Sequence, residues 1–462
     1  MTDIGLEPLG VSDVARRVAA RELAPTEVIT ATLERIARLE PMLHAFLVVF
    51  DDAIDRAARI ELRLERGQPV GPLAGVPISV KDLVLTTDAP TTAGSRTFGA
   101  GVTTTRDARV VERLRRAGAI IVGKTNLHEI AMGVTTINEH FGPSHNPWDL
   151  SRIAGGSSGG SAVAVAAELG CASVGTDTRG SIRIPAACCG ITGLKPTRGL
   201  VSTDGVLPLS WTLDHVGPMT RSVRDAALML AAMVGRRDLL ARYLAAVDHR
   251  PTALRLGIAD YYFRDIDPEI DEAIAESIGC LEAAGHTVRR VDVPELDGAQ
   301  HASAIITGAE ALAYHDERLR AAPDGFGPLV RQRLERGYAL GAIDFVRAQR
   351  TRLDVAAGFE RLFAEIDCLV APTLAALPHR IGEESVRIGE HDANPLESFT
   401  RLNSPQNMAG IPALSVPCGF SAAGLPIGLQ LIAARGRDDL VLALGAEYQR
   451  LTTWHRRRPE LG

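Results

Sequence analysis

DARVVERLRRAGAIIVG, residues 107–123, reads as a helix, a stop and a strand. Val110, Val111 and Leu114 recur at helical spacing among charged residues, Gly118 closes the helix, and the apolar AIIVG that follows suits a short buried strand. A helix joined to a strand by a tight glycine link is the unit from which α/β proteins are built. The same order recurs at 269–293, EIDEAIAESIGCLEAAGHTVRRVDV, with Gly285 as the link, and at 358–371, GFERLFAEIDCLVA. The architecture repeats while the sequence does not. It predicts an α/β fold: a largely parallel or mixed β-sheet with helices on both faces.

Outward from that unit the chain keeps the same grammar. Val14, Val18, Leu23, Val28, Ile29, Leu33 and Ile36 recur at helical spacing, Pro25 and Thr26 split them into two helices with Thr26 as an N-cap, and a third helix covers 51–66. Residues 1–66 thus read as an N-terminal helical wrapping. In GPLAGVPISVKDLV, 71–84, Ile78 and Val80 alternate with Ser79 and Lys81 as in a strand. A lysine there either snorkels to water or pairs with an acid such as Asp82. Residues 376–406 form a long connection rich in Pro, Gly and polar residues, a length that points to a lid or pocket wall. After it, NMAGIPALSVPCGFSAAGLPIGLQLIA predicts strand, turn, strand, and a last helix spans 437–451. No break divides the chain. The expectation is one domain over 1–462, with a catalytic core in 71–225.

Composition narrows the function. Apolar residues make up 46% and charged residues 23%, ordinary globular usage. Fifty basic against 56 acidic side chains give a net charge of -6, which supplies no electrostatic reason to expect nucleic acid. No apolar run reaches membrane-spanning length, and the opening MTDIGLEPLGVSD lacks the pattern of a leader, so a cytoplasmic protein with no membrane partner is expected. The six cysteines contain no CxxC pair; adjacent Cys188 and Cys189 read either as a redox pair or as small buried hydrophobes. The 12 histidines show no HExxH spacing, so no metal is expected.

Two polar loops bracket an apolar helix and strand: GGSSGGS at 155–161 and TDTRGS at 176–181. The first lacks the lysine of a phosphate loop and the spacing of a dinucleotide fingerprint, and an apolar helix follows it too directly for a linker. Nucleophile chemistry is left, in two forms. Residues 155–159 match GxSxG, which makes Ser157 the elbow nucleophile of an α/β-hydrolase esterase. The alternative uses both loops.

VKD, GGSSGGS and TDTRGSIRIPAACCGITGLKPTRG closely resemble the amidase signature family of serine hydrolases. The resemblance runs from ERIARLEPMLHAF through LDHVGPMTRSVRDA to DCLVAPT and GIPALSVPCGF. It implies the family's fold, a large twisted mixed β-sheet flanked on both faces by helices, and a Ser-Ser-Lys triad: Lys81 as base, Ser157 as a proton relay following a cis peptide bond, and Ser181 as nucleophile. The amides of Thr178, Arg179, Gly180 and Ser181 are implied as an oxyanion hole. Asp177 and Arg183 match positions that fix the loop, or form an ordinary ion pair; Ser158 is a supporting hydrogen-bond partner or a turn residue. By position in the family, Met132, Gly133, Phe141 and Trp211 are expected at the pocket. Arg179 departs from the family's glycine, and its head is expected to point away from Ser181, into solvent or onto an acid at the pocket rim.

The implied reaction is hydrolysis of an amide C–N bond through an acyl-enzyme, without cofactor, by a monomer or homodimer. The expected substrate is a small, medium or fatty neutral amide, an anilide or a carbamate, with ester or urethanase side activity. The other reading within the family is the glutaminase component of a tRNA-dependent amidotransferase. The absence of a longer C-terminal extension, and the segment PLSWTLDHVGP, weigh for the stand-alone enzyme.

Overall fold

The computed structural model describes residues 10–461. Most of the opening segment, with its expected lack of a leader, therefore lies outside the described residues. Eleven strands form one sheet: β1 Phe46–Val49, β2 Pro77–Lys81, β3 Ile120–Thr125, β4 Ala172–Asp177, β5 Thr192–Lys195, β6 His215–Thr220, β7 Arg255–Ala259, β8 Thr287–Val291, β9 Cys368–Pro372, β10 Ala413–Phe420 and β11 Pro426–Ala433. Their order is β1-β3-β2-β4-β6-β5-β10-β11-β9-β7-β8. Parallel pairs β2/β3, β2/β4, β7/β8 and β7/β9 stand beside antiparallel ones, so the sheet is mixed as expected.

Apolar clusters lie on both faces. Ile78 and Val80 of β2 belong to one of them, which turns Ser79 and Lys81 toward the other face. That face is covered by α5, Gly159–Ala166, a wholly buried helix of Gly, Ala, Ser and Val. Such small residues let a helix lie close against polar strand positions, and the polar groups pair with one another: Ser79 Oγ donates to Ser173 Oγ of β4 at 2.8 Å.

The first three helices are α1 Val11–Ala19, α2 Pro25–Leu43 and α3 Ala53–Glu65. Thr26 is not the cap expected of it: α2 begins at Pro25 after Ala24, because proline already supplies the helical φ at the first position. The Thr26 hydroxyl instead donates to Glu61 of α3 at 2.7 Å. The helix-glycine-strand units appear as α4 Arg109–Arg116 with β3, and helix Pro268–Ala283 with β8. The third unit differs in its link, since Ala342–Glu365 passes into β9 through extended Ile366 without glycine.

Residues 376–406 are less open than a bare loop. They hold a short hairpin, Val386–Ile388 with His391–Ala393, and the helix Pro395–Arg401, capped by Asn394. Cys188 and Cys189 sit buried in helix α6, Arg183–Cys189, where burial pushes both thiols up, away from redox reactivity. Among the described residues no helix is long and apolar enough to cross a membrane.

Candidate active site

Parallel strands β2 and β4 bring their carboxyl ends side by side, with Val80 opposite Val174. This places Lys81 next to the loop that follows β4, and α5 brings the 155–161 loop over both. The Lys81 ammonium donates to Ser157 Oγ at 2.7 Å, to Ser158 Oγ at 2.9 Å and to Thr176 Oγ1 at 2.8 Å. It is fully buried and makes no ion pair among the described residues. Neighbouring Asp82 does not serve it, because Asp82 pairs with Lys124 at 2.7 Å. Burial, only partly opposed by the more distant Asp214 and Asp177, lowers Lys81 to about 7.

The Gly156–Ser157 peptide bond is cis. A Cβ on Gly156 would come within 2.8 Å of the backbone of Val134 and Thr135, so only glycine fits there. Thr136 fastens the loop: its hydroxyl donates to the Gly155 carbonyl at 2.8 Å and accepts from the Gly159 amide at 3.0 Å. The two loops meet where the Ser158 amide donates to the Ser181 carbonyl at 3.3 Å. Ser157 and Ser181 side chains make no hydrogen bond to each other.

Asp177 shapes the second loop. Burial would raise this carboxyl, but Arg183 binds it through two contacts of 3.0 Å and holds it well below the usual carboxylate range. Its oxygens also accept from the amides of Gly180 at 2.7 Å and Ile182 at 3.2 Å. Gly180 therefore departs from the expected hole: its amide is engaged inside the loop, and its φ of +113 serves the turn. The amides of Thr178, Arg179 and Ser181 find no acceptor among the described residues. Arg179 keeps a negative φ, so a side chain is tolerated there. The Thr178 hydroxyl donates to Asp214, which burial raises to about 6.

Ser181 opens into a cavity of about 270 Å³ lined by Met132, Gly133, Thr178, Arg179 and Arg333 among others. Leu396 and Thr400 of the 376–406 segment form part of its wall, so the wall reaches beyond 71–225. Two expected pocket residues lie elsewhere. Phe141 is 43% exposed at the end of a short hairpin, where its amide donates to Asn138 Oδ1. Trp211 lines a neighbouring cavity of about 360 Å³ with Asp214 and Tyr314, not the one that holds Ser181. Arg179 does not point away: it lines the Ser181 cavity and donates to Thr400 Oγ1 at 3.0 Å and Ser404 Oγ at 3.3 Å, with no acid in ion-pair reach among the described residues.

Thr176, Thr136, Asp214 and Arg333 join the site without a signal in the sequence. Only the register of β2 against β4 marks Thr176; the others carry no local pattern.

The Amidase family profile matches residues 27–442. The chain belongs to the amidase signature family. It is 38% identical to a glutamyl-tRNA(Gln) amidotransferase subunit of Roseiflexus sp. (strain RS-1), over 99% of each chain. A crystal structure of an amidase superposes with a TM-score of 0.89 at 35% identity, covering 96% of this chain and 99% of that one. A bacterial aryl acylamidase of the amidase signature family gives 0.88 at 27%, covering 97% of both. The match covers 99% of the Roseiflexus protein, which removes the C-terminal reason for preferring a stand-alone enzyme.

Proposed function

We propose that this amidase hydrolyses amide C–N bonds through an acyl-enzyme on Ser181, with Lys81 as base and Ser157 as relay. The observation that carries the reading is Lys81 itself, a buried lysine held by three hydroxyls and no carboxylate. Near pH 7 a large fraction of it is neutral. A neutral amine accepts the Ser157 proton along their 2.7 Å contact while Ser157 takes the proton of Ser181, whose Oγ attacks the carbonyl. Substrate binding must close the gap between the two serines, as hydrogen bonds in empty sites commonly tighten on binding. The unengaged amides of Thr178, Arg179 and Ser181 are the donors for the oxyanion. Collapse breaks the C–N bond, the proton returns through Ser157 to the leaving nitrogen, and water releases the acid by the reverse path.

With Lys81 as base, kcat/KM rises with pH through an acid limb near 7. Lys81→Met and Ser181→Ala each lower kcat by about 10³-fold or more. An unchanged acid limb in Lys81→Met, measured on residual activity, overturns the assignment.

A second reading is favoured by the Roseiflexus relative: the glutaminase component of a tRNA-dependent amidotransferase complex, which hydrolyses glutamine and passes the ammonia to a partner subunit. Both readings share the chemistry above and differ in what the cavity binds.

A further inference from the structure

The walls of the Ser181 cavity carry an unbalanced charge. Arg179, Arg333 and Arg336 line it, and among the described residues that line it there is no aspartate or glutamate. The rest of the wall is mostly apolar, as at Met132, Ile305 and Leu340. None of the three arginines makes an ion pair among the described residues. Arg179 rests on the hydroxyls of Thr400 and Ser404, Arg333 donates to the Met132 carbonyl, and Arg336 donates to Gln332. Glu397, whose field reaches Arg179, and Glu139, whose field reaches Arg333, are both exposed and outside the lining.

Arg179 and Arg333 are also near enough to repel. Burial first and Arg333 second push Arg179 down to about 10, and burial first and Arg336 second do the same to Arg333. Partly buried cations without counter-ions are costly unless something anionic completes them. A planar guanidinium fixed by hydroxyls keeps further N–H donors for a carboxylate.

We propose that Arg179 and Arg333 form a carboxylate-binding subsite, and that the substrate is an amide bearing a free carboxylate and no ammonium. Monoamides of short dicarboxylic acids have this chemistry. Glutamine does not, because its α-ammonium would enter a wall with three arginines and no acid to receive it. Neutral amides leave the two arginines uncompensated. This inference rests on Ser181 as nucleophile and names what that site accepts.

The test is a competition on the whole protein. Ser181 is labelled with a fluorophosphonate in the presence of malonamate, succinamate, glutaramate or adipamate, of their methyl esters, and of glutamine; kcat/KM is measured for each compound that turns over. At least one monoamide is expected to protect about 10- to 100-fold better than its own ester and than glutamine, the range of a hydrogen bond to a charged group. Arg179→Met and Arg333→Met, checked for folding by circular dichroism, are expected to narrow that ratio by about 10-fold. Equal protection by acid and ester across the series, or better protection by glutamine, overturns the inference in wild-type protein, whatever the variants do. Absence of labelling at Ser181 counts instead against the proposed mechanism.

Discussion

Lys81 couples the chemistry to stability. Its ordinary value is 10.5 and burial lowers it to about 7 in the fold. Between those values the unfolded chain binds the extra proton and the folded one does not, so the Lys81 contribution to stability rises with pH across that window. Below about 7 the full cost of burying the ammonium is felt; above 10.5 it is gone. Lys124 and Lys195 are also buried, but they stay in place in a Lys81→Met variant and cancel in the comparison. Urea unfolding at about pH 7 and about pH 9.5 is expected to show wild type gaining on Lys81→Met as pH rises; a constant difference would mean that Lys81 titrates normally. From sequence, Lys81 is legible as a strand residue and, through the family resemblance, as a base. That it lacks a carboxylate partner is not, because the capture of Asp82 by Lys124 depends on β3 lying beside β2.

Helix α6 and the strands around it hold the 176–181 loop. Arg183 begins α6, binds Asp177 at the end of β4, and donates to Gln430 of β11 at 2.7 Å and Asn407 Oδ1 at 2.6 Å. Every one of these side chains is buried. Removing the cation leaves Asp177 unpaired in the interior, a loss of about 3–5 kcal/mol. Arg183→Met is expected to lower the urea midpoint by a corresponding amount with the m-value unchanged; a shift below about 1 kcal/mol would reduce the pair to a minor ion pair. At this scale the sequence is informative where periodicity is strong. β2, α4, β3 and the β10/β11 hairpin stand out, as do both loops. The long-range contacts do not: Asn407, Gln430 and Arg333 lie more than 150 residues beyond Ser181 and nothing in their neighbours marks them, and although Thr400 falls in the 376–406 segment that reads as a pocket wall, its contact with Arg179 is not legible. The Gly180 amide is misplaced for a related reason: the sequence suggests Asp177 as a partner for Arg183, and gives no sign that the same carboxylate also takes up that amide.

Taken whole, the molecule closes the Ser181 cavity with parts drawn from distant stretches. The 155–181 region supplies serines and amides, helix Pro328–Glu335 supplies Arg333, and helix Pro395–Arg401 supplies the hydroxyl that steadies Arg179. Family membership therefore settles the reaction class more firmly than the substrate, which depends on residues outside the shared motifs. Stand-alone amidases are to be told from amidotransferase components at this scale, and the arginine-lined wall is where this chain should be compared with both. Everything proposed depends on which serine attacks. Labelling the intact protein with a fluorophosphonate and mapping the adduct by peptide mass spectrometry decides it: modification at Ser181, lost in Ser181→Ala, is the predicted result, and modification at Ser157 would contradict it and restore the GxSxG elbow.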